Sequence, residues 1–115
     1  MRYSVKVTEE AKQDLYSIFL YILENSYSVD IAKHRIHELE KAILSLETMP
    51  YRHMLLFPDK DEHEELRVFH IVGYAIVYEI DEPAKCLYVL AVFSDKRQLP
   101  SRVCEAPAAY SYQNG

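Results

Sequence analysis

The chain of 115 residues has two cysteines, two glycines and no tryptophan. Cys86 and Cys104 lack Cys-x-x-Cys spacing, and the first ten residues contain no apolar stretch typical of a secretory signal. No apolar run approaches the roughly 20 residues that are needed to span a bilayer. These absences argue against a disulfide scaffold or a membrane protein. We therefore expect a protein of the reducing cytoplasm that does not interact with membranes.

Excess positive charge is also absent, since 13 Lys and Arg residues stand against 18 Asp and Glu residues. The formal net charge of −5 excludes a diffuse basic surface for nucleic acid, so any anion binding must be local. No glycine-rich phosphate loop or G-x-S-x-G elbow is present. No motif supplies a third metal ligand beside His34 and His37, and we interpret these two histidines as part of a solvated helix face. We expect neither a metal nor another cofactor.

The remaining composition is that of a globular domain, with 50% hydrophobic and 27% charged residues. The length fits one domain with its own apolar core. We expect this domain to cover residues 1–97. Prolines and small polar residues follow it, and they predict an irregular or disordered tail over residues 98–115.

The first half of the chain predicts a strand followed by two helices. Residues 3–7 alternate between apolar and polar side chains, as a half-buried strand does. Thr8 is a candidate N-cap for a first helix with an apolar stripe, and Ser28 is a candidate cap for a second one. We expect Pro50 to end the second helix. The short connection between the helices predicts an antiparallel helical hairpin.

The second half predicts a sheet. Segments rich in Val, Ile, Tyr and Phe lie at 66–71, 74–80 and 87–93, after a shorter candidate strand at 54–57 and an acidic loop at 59–65. The dipeptide Val72-Gly73 predicts a tight hairpin turn, and residues 81–85 predict a longer one. Together with the helices, these strands predict an α+β fold. A helical hairpin packs on one face of a mainly antiparallel sheet of four to five strands.

The last predicted strand is apolar on both faces. Strict alternation places Leu87, Val89, Ala91 and Phe93 on one face, and Tyr88, Leu90 and Val92 on the other. Two helices cover only one face of a sheet. We therefore expect the other face to be covered by the C-terminal tail, a partner or a second copy of the chain.

Two arginines bracket the predicted sheet, Arg67 in its first long strand and Arg97 after its last. A guanidinium keeps its charge and binds phosphate oxygens through its fork of donors. Arg67, Lys96 and Arg97 are thus candidates for stabilising a phosphate group. The alternative for Arg67 is an ion pair with a carboxylate, either Glu79 or one from the acidic loop at 59–65. A two-residue turn at 72–73 would place Arg67 opposite Tyr78 on the same sheet face.

Three further side chains on these strands carry alternative interpretations. Tyr74 and Tyr78 are candidates for stacking on exposed bases, although strand tyrosines more often belong to the core. His70 is a candidate base at neutral pH, but strand alternation turns it away from the face of Arg67. We therefore interpret His70 as structural.

The order of these segments resembles the RelE/ParE superfamily of bacterial toxins. The resemblance is carried by EEAKQDLYSIFLYI and AKHRIHELEKAILSLETMP, followed by LRVFHIVGYAIVYEI and LYVLAVFSDKR, and it covers roughly residues 3–97. It implies the toxin of a type II toxin–antitoxin system, which a cognate antitoxin holds inactive. RelE-like members cut ribosome-bound mRNA, whereas ParE-like members poison DNA gyrase and are not nucleases.

The resemblance implies a ribosome-dependent mRNA endonuclease as the leading function. Arg67, Lys96 and Arg97 would then be catalytic, and Tyr74 and Tyr78 would bind the substrate. RelE-type members carry a tyrosine shortly after the last arginine, and the corresponding stretch here, QLPSRV, has none. Two alternatives therefore stay open: a non-enzymatic inhibitor of DNA gyrase, and an inactive toxin-like domain that only binds its antitoxin.

Overall fold

The structure is a computed structural model that describes residues 2–57 and 66–96. The acidic loop at 59–65, Arg97, Cys104 and the tail at 98–115 lie outside these residues. What the sequence predicts for them stays a prediction, as does the division of the chain at residue 97.

The described chain forms two helices, a 3-10 turn and five strands. In order, they are β1 (Ser4–Val7), α1 (Glu9–Ser26), α2 (Val29–Ser45), the 3-10 turn (Pro50–Arg52), β2 (Met54–Leu55), β3 (Leu66–Ile71), β4 (Tyr74–Asp81) and β5 (Cys86–Ser94). The strands form one sheet in the order β1-β5-β4-β3-β2. Only β1 runs parallel to its neighbour, β5, and the other pairs are antiparallel. The predicted α+β fold is confirmed.

The caps of both helices are confirmed at the predicted residues. The Thr8 hydroxyl accepts a hydrogen bond from the Ala11 amide at 3.2 Å, and the Ser28 hydroxyl accepts one from the Ile31 amide at 3.2 Å. These bonds satisfy amide groups that have no partner within the first helical turn. Tyr27 separates the helices in a left-handed conformation with φ 54, which allows α2 to fold back antiparallel to α1.

The prediction that Pro50 ends the second helix is wrong. Helix α2 already ends at Ser45, where the Leu46 amide bonds to the Ile43 carbonyl in the tighter 3-10 pattern. Met49 then turns the chain with φ 51, and Pro50 begins the 3-10 turn. A proline suits that first position because its missing N–H has no helical partner there.

The two helices pack on one face of the sheet, as predicted. The buried residues of this first core cluster are Ala11, Ile18, Leu39, Ala42, Ile43, Leu46, Ile76, Tyr78, Ile80, Leu87, Val89 and Val92. A second cluster lies on the opposite face, with Leu66, Val68, Ala75, Val77 and Ala91 buried. Neither described helix is long and apolar enough to cross a membrane. What covers the second cluster from outside stays a prediction.

The predicted alternation of β5 is wrong beyond Val89. Val77 pairs with Ala91, but the next residue, Tyr78, pairs with Val89, so Leu90 is an extra residue in a β-bulge. The bulge shifts the later residues by one position, and Val92 therefore joins Val89 on the helix face. The Asp14 carboxylate of α1 accepts a hydrogen bond from the Val92 amide at 2.9 Å, which holds the shifted segment.

Candidate functional site

The sheet separates the predicted site residues into two places. Arg67 lies opposite Tyr78, as predicted, whereas Tyr74 lies opposite Ser94, near the other end of β4. Tyr78 and Tyr74 are four residues apart, or about 14 Å along a strand. Lys96 follows Ser94, so it belongs to the far end from Arg67. These two cations therefore do not converge on one phosphate, and Arg97 lies outside the described residues.

The guanidinium of Arg67 binds the backbone of the 3-10 turn and the residue after it. Its Nη1 donates to the His53 carbonyl at 2.7 Å and to the Tyr51 carbonyl at 3.3 Å. Its Cζ lies 5.0 Å from the centre of the Tyr51 ring, which gives a cation–π contact. The ion pair with Glu79 is not formed, because Glu79 follows Tyr78 in β4 and points to the other face. Arg67 thus fastens the turn to β3.

His53 and Arg52 stand beside Arg67, and the sequence interpretation missed both. The His53 ring stacks on Phe69, with ring centres 4.0 Å apart. The Nε of Arg52 donates to His53 Nε2 at 3.3 Å, so that ring nitrogen carries no proton. Burial lowers the pKa of His53, and the positive charges of Arg52 and Arg67 lower it further. Both effects favour the neutral imidazole.

Tyr78 lies in the core rather than on a binding surface. Its side chain is 0% exposed, and its hydroxyl donates to the Pro50 carbonyl at 2.5 Å. Burial raises the pKa of Tyr78 to about 12, with Arg67 and Arg52 acting in the opposite direction. A base cannot stack on this ring without opening the core. Tyr74 is half-buried and packs against the first cluster.

The hydroxyl of Tyr51 is held by the carboxylate of Glu82. Glu82 Oε1 accepts hydrogen bonds from the Tyr51 hydroxyl at 2.5 Å and the Tyr3 hydroxyl at 2.9 Å, and Lys85 contacts Oε2. Lys85, Tyr51 and Tyr3, in that order, lower the pKa of Glu82 to about 2. Glu82 thus joins the 3-10 turn, β1 and the β4–β5 turn. We call these four residues the Glu82 clasp.

Tyr51, Arg52, His53 and Arg67 together form what we call the arginine cluster. It brings two permanent positive charges to a neutral imidazole and a half-exposed aromatic ring, which are groups able to hold a phosphate ester. The sequence signal was the run Tyr51-Arg52-His53 directly after a proline. It was missed because only the tertiary contact between the turn and β3 brings this run to Arg67.

The opposite end of the sheet presents the β3–β4 turn, which we call the hairpin tip (Val72 and Gly73). Both residues have positive φ, 44 and 85, so the predicted two-residue turn is confirmed as type I′. Arg35 Nη1 of α2 donates to the Val72 carbonyl at 2.9 Å. The Asp95 amide donates to the Gly73 carbonyl at 3.0 Å, which places Lys96 beside the tip.

The three histidines considered from the sequence lie apart from the arginine cluster. His70 is exposed on the sheet face opposite Arg67, as strand alternation predicts. His34 and His37 line an open groove on α2, and His34 Nε2 lies 3.8 Å from a Glu38 carboxylate oxygen. Over residues 2–57 and 66–96, no three His, Cys, Asp or Glu side chains come together in a group able to hold a metal ion. Cys86 is a buried free thiol.

Comparisons with known proteins agree with this arrangement of helices and strands. The fold is similar to that of the chromosomal ParDE toxin–antitoxin system from P. aeruginosa, with a TM-score of 0.66, 13% sequence identity, and coverage of 81% of this chain and 96% of that one. It is also similar to the RelBE2 toxin–antitoxin complex from Mycobacterium tuberculosis, with a TM-score of 0.58, 21% identity, and coverage of 82% and 99%. No curated protein matches the sequence.

Structural similarity at such low sequence identity shows only the fold, whereas a match to a family model assigns the family. Residues 5–99 match the model described as the ParE toxin of the type II toxin–antitoxin system parDE. The match includes both helices and all five strands except the first residue of β1, Ser4. It also includes the arginine cluster and the hairpin tip. The chain therefore belongs to the ParE toxin family, within the RelE/ParE superfamily of type II toxin–antitoxin toxins.

Proposed function

We propose that this toxin inhibits DNA gyrase by binding to it and that it does not cleave nucleic acid. The observation that carries the proposal is that the Arg67 guanidinium is already bound within the fold. Its Nη1 is engaged by two backbone carbonyls, and Lys96 lies at the far end of the sheet. A nuclease needs its cationic groups around one phosphate, whereas an inhibitor that acts by binding has no such requirement.

The chemistry of RNA cleavage supplies a second argument. Attack by a 2′-hydroxyl needs a base for its proton, cationic stabilisation of the phosphate, and an acid for the leaving oxygen. Tyr78 is the nearest buried hydroxyl, but its pKa of about 12 and its bond to the Pro50 carbonyl make it a poor acid. The matching family model, which describes a ParE toxin, favours gyrase as the target.

We further propose that a cognate antitoxin neutralises this chain by forming a complex with it in the cytoplasm. The two solved relatives come from toxin–antitoxin systems, and one of them is a toxin–antitoxin complex. A segment that folds on binding could cover the second core cluster, where Leu90 and Phe93 are only partly buried. The remaining alternative, an inactive domain that only binds antitoxin, predicts a complex without growth inhibition.

The decisive experiment compares two readouts of the same protein. We expect the purified chain to inhibit supercoiling by DNA gyrase, while transcripts mapped during its expression show no new cleavage sites. Transcript cleavage without inhibition of supercoiling would overturn the proposal. Absence of both activities would favour the inactive domain.

Ribosome-dependent mRNA cleavage is the second candidate, and the neutral His53 between two guanidinium groups favours it. An unprotonated imidazole nitrogen is able to accept the proton of a 2′-hydroxyl at neutral pH. In this case His53, Arg52 and Arg67 would act together and Arg97 remains a predicted contributor, whereas Lys96 lies at the far end of the sheet. Cleavage that H53Q abolishes would support this candidate, whereas cleavage that H53Q leaves unchanged would exclude His53 as the base.

A further inference from the structure

The hairpin tip contains the least favourable backbone residue of the described chain. Val72 has φ 44, in the left-handed region, and its side chain is 38% exposed. A β-branched residue is a genuine outlier in this region, because its side chain crowds the neighbouring carbonyl. Asparagine or glycine forms the first position of a type I′ turn with much less strain. The valine is therefore unfavourable both for the backbone and for solvation.

The fold holds this unfavourable residue rigidly in place. The Val72 carbonyl accepts the hydrogen bond from Arg35 of α2, and Arg35 is itself oriented by Glu38 at 3.4 Å. The Gly73 carbonyl accepts the bond from the Asp95 amide. The tip is thus braced by α2 on one side and by the end of β5 on the other. A rigid, exposed apolar side chain loses little conformational entropy when a partner binds it.

The other left-handed residues lie at helix ends or turns and none of them is β-branched; Met49 with φ 51, for example, is the N-cap of the 3-10 turn. Tyr27 with φ 54 forms the C-cap of α1, where its amide bonds to the Leu23 carbonyl. Lys85 with φ 54 closes the β4–β5 turn and contacts the Glu82 carboxylate. Neither residue is β-branched. The Val72 side chain forms no part of either core cluster. The type I′ turn requires positive φ at residue 72 but does not require a valine there, and strained residues of this kind are concentrated at functional positions.

We propose that Val72 is a target-contact residue, which inserts its exposed side chain into an apolar pocket on the protein that this toxin inhibits. The proposal rests on the proposed function in taking that protein to be DNA gyrase. One negative and one positive charge, Asp95 and Lys96, flank the tip and leave the valine as its apolar centre. The strain at φ 44 is then the consequence of placing a contact residue where the fold alone would favour asparagine.

The variant V72N separates a structural role of Val72 from a role in target contact, because it relieves the strain and removes the apolar contact at once. We expect its Tm to rise by about 4 °C. We also expect its inhibition of gyrase supercoiling to fall about tenfold and its effect on bacterial growth to fall in parallel. A structural role alone predicts the opposite result, in which the more stable variant is at least as inhibitory.

Two further variants serve as controls. V72T keeps the β-branch and the strain but replaces one methyl group by a hydroxyl, so we expect an unchanged Tm and weaker inhibition. Y27N relieves a left-handed residue that is 92% exposed and lies in the helical hairpin, so we expect a higher Tm and unchanged inhibition. If V72N and V72T both inhibit growth as the wild type does, Val72 is not a contact residue.

The two readouts distinguish a failure of this inference from a failure of the proposed function. A wild-type chain that stops growth without inhibiting gyrase overturns gyrase as the target, and the growth assay still decides the role of Val72. A wild-type chain that inhibits gyrase equally with V72N overturns only the role of Val72. A wild-type chain that affects neither growth nor gyrase overturns both.

Discussion

At the scale of single residues, Arg67 shows how a charged group in a sheet can serve the fold. Its guanidinium replaces water at the Tyr51 and His53 carbonyls and lies against the Tyr51 ring. The 3-10 turn has too few amide groups of its own to donate hydrogen bonds to these carbonyls. The arginine therefore holds a short turn whose own hydrogen bonds would not keep it closed.

Tyr78 of β4 also holds the 3-10 turn, because its hydroxyl donates to the Pro50 carbonyl. Removing this hydroxyl should lower the stability of the fold. Tyr78→Phe removes the donor to the Pro50 carbonyl and leaves that buried acceptor unpaired. We expect the free energy of unfolding to fall by about 1–2 kcal/mol. Urea denaturation followed by circular dichroism measures this change. Tyr21→Phe is the matched control, since Tyr21 is 59% exposed, and an equal loss there would contradict the explanation.

At the scale of elements, the start of α1 is joined to the sheet by one side chain. The Thr8 hydroxyl caps α1 and also donates to the Val89 carbonyl of β5 at 2.8 Å. The Ser28 hydroxyl caps α2 in the same way, but it makes no bond to the sheet. The two caps therefore differ in one contact between elements.

This difference predicts unequal effects of the same substitution. Ser28→Ala should lower the free energy of unfolding by about 1 kcal/mol, the usual effect of losing an N-cap. Thr8→Ala should lower it by about 2 kcal/mol, because the hydroxyl bond to the Val89 carbonyl is also lost while the backbone amide bond remains. Thermal or urea unfolding of both variants tests this order. Equal losses would mean that the bond between Thr8 and Val89 adds nothing to stability.

Elements whose signals are local could be predicted from the sequence. Thr8 and Ser28 cap the helices as expected, and Val72-Gly73 forms the expected turn, because each signal lies within a few residues of its effect. The Leu90 bulge and the early end of α2 could not be predicted in this way. The bulge is held by Asp14 from a helix far away in sequence, and α2 ends at Ser45, five residues before the proline that marks the local stop signal.

The same distinction applies to the candidate site. Arg67 and the pairing of Arg67 with Tyr78 followed from the turn length and strand periodicity. The presence of Arg52 and His53 beside Arg67 depends on a contact across 14 residues, which no local pattern indicates. Periodicity likewise placed Lys96 after the last strand, but the distance between Lys96 and Arg67 emerged only from the register of the sheet.

At the scale of the whole molecule, the Glu82 clasp joins segments from the start, middle and end of the described chain. The pKa of Glu82, about 2, lies below the ordinary value of 4.5, so the folded state favours the charged carboxylate. This contribution to stability is complete above about pH 4.5 and is lost as the pH falls towards about 2. Glu82 is half-exposed, so solvent weakens the effect.

Acid unfolding tests the clasp directly. We expect Glu82→Gln to be less stable than the wild type at pH 7, with a difference that shrinks as the pH falls from about 4.5 to 2. Thermal unfolding at several pH values measures the change. Glu24→Gln is the control, because Glu24 is an exposed residue of α1 outside the clasp. A difference that stays constant with pH would show that the charge of Glu82 does not contribute.

The parallel pairing of β1 with β5 has a consequence for the synthesis of the toxin. Thr8 bonds to Val89, 81 positions later, so the first strand has no neighbour until the last strand has been translated. The sheet can therefore be completed only after residues 86–94 have been translated. An unfinished nascent chain lacks the braced hairpin tip, which needs Asp95 of the final strand region. A nascent chain that has not reached residues 86–95 thus has neither a partner for its first strand nor the braced tip.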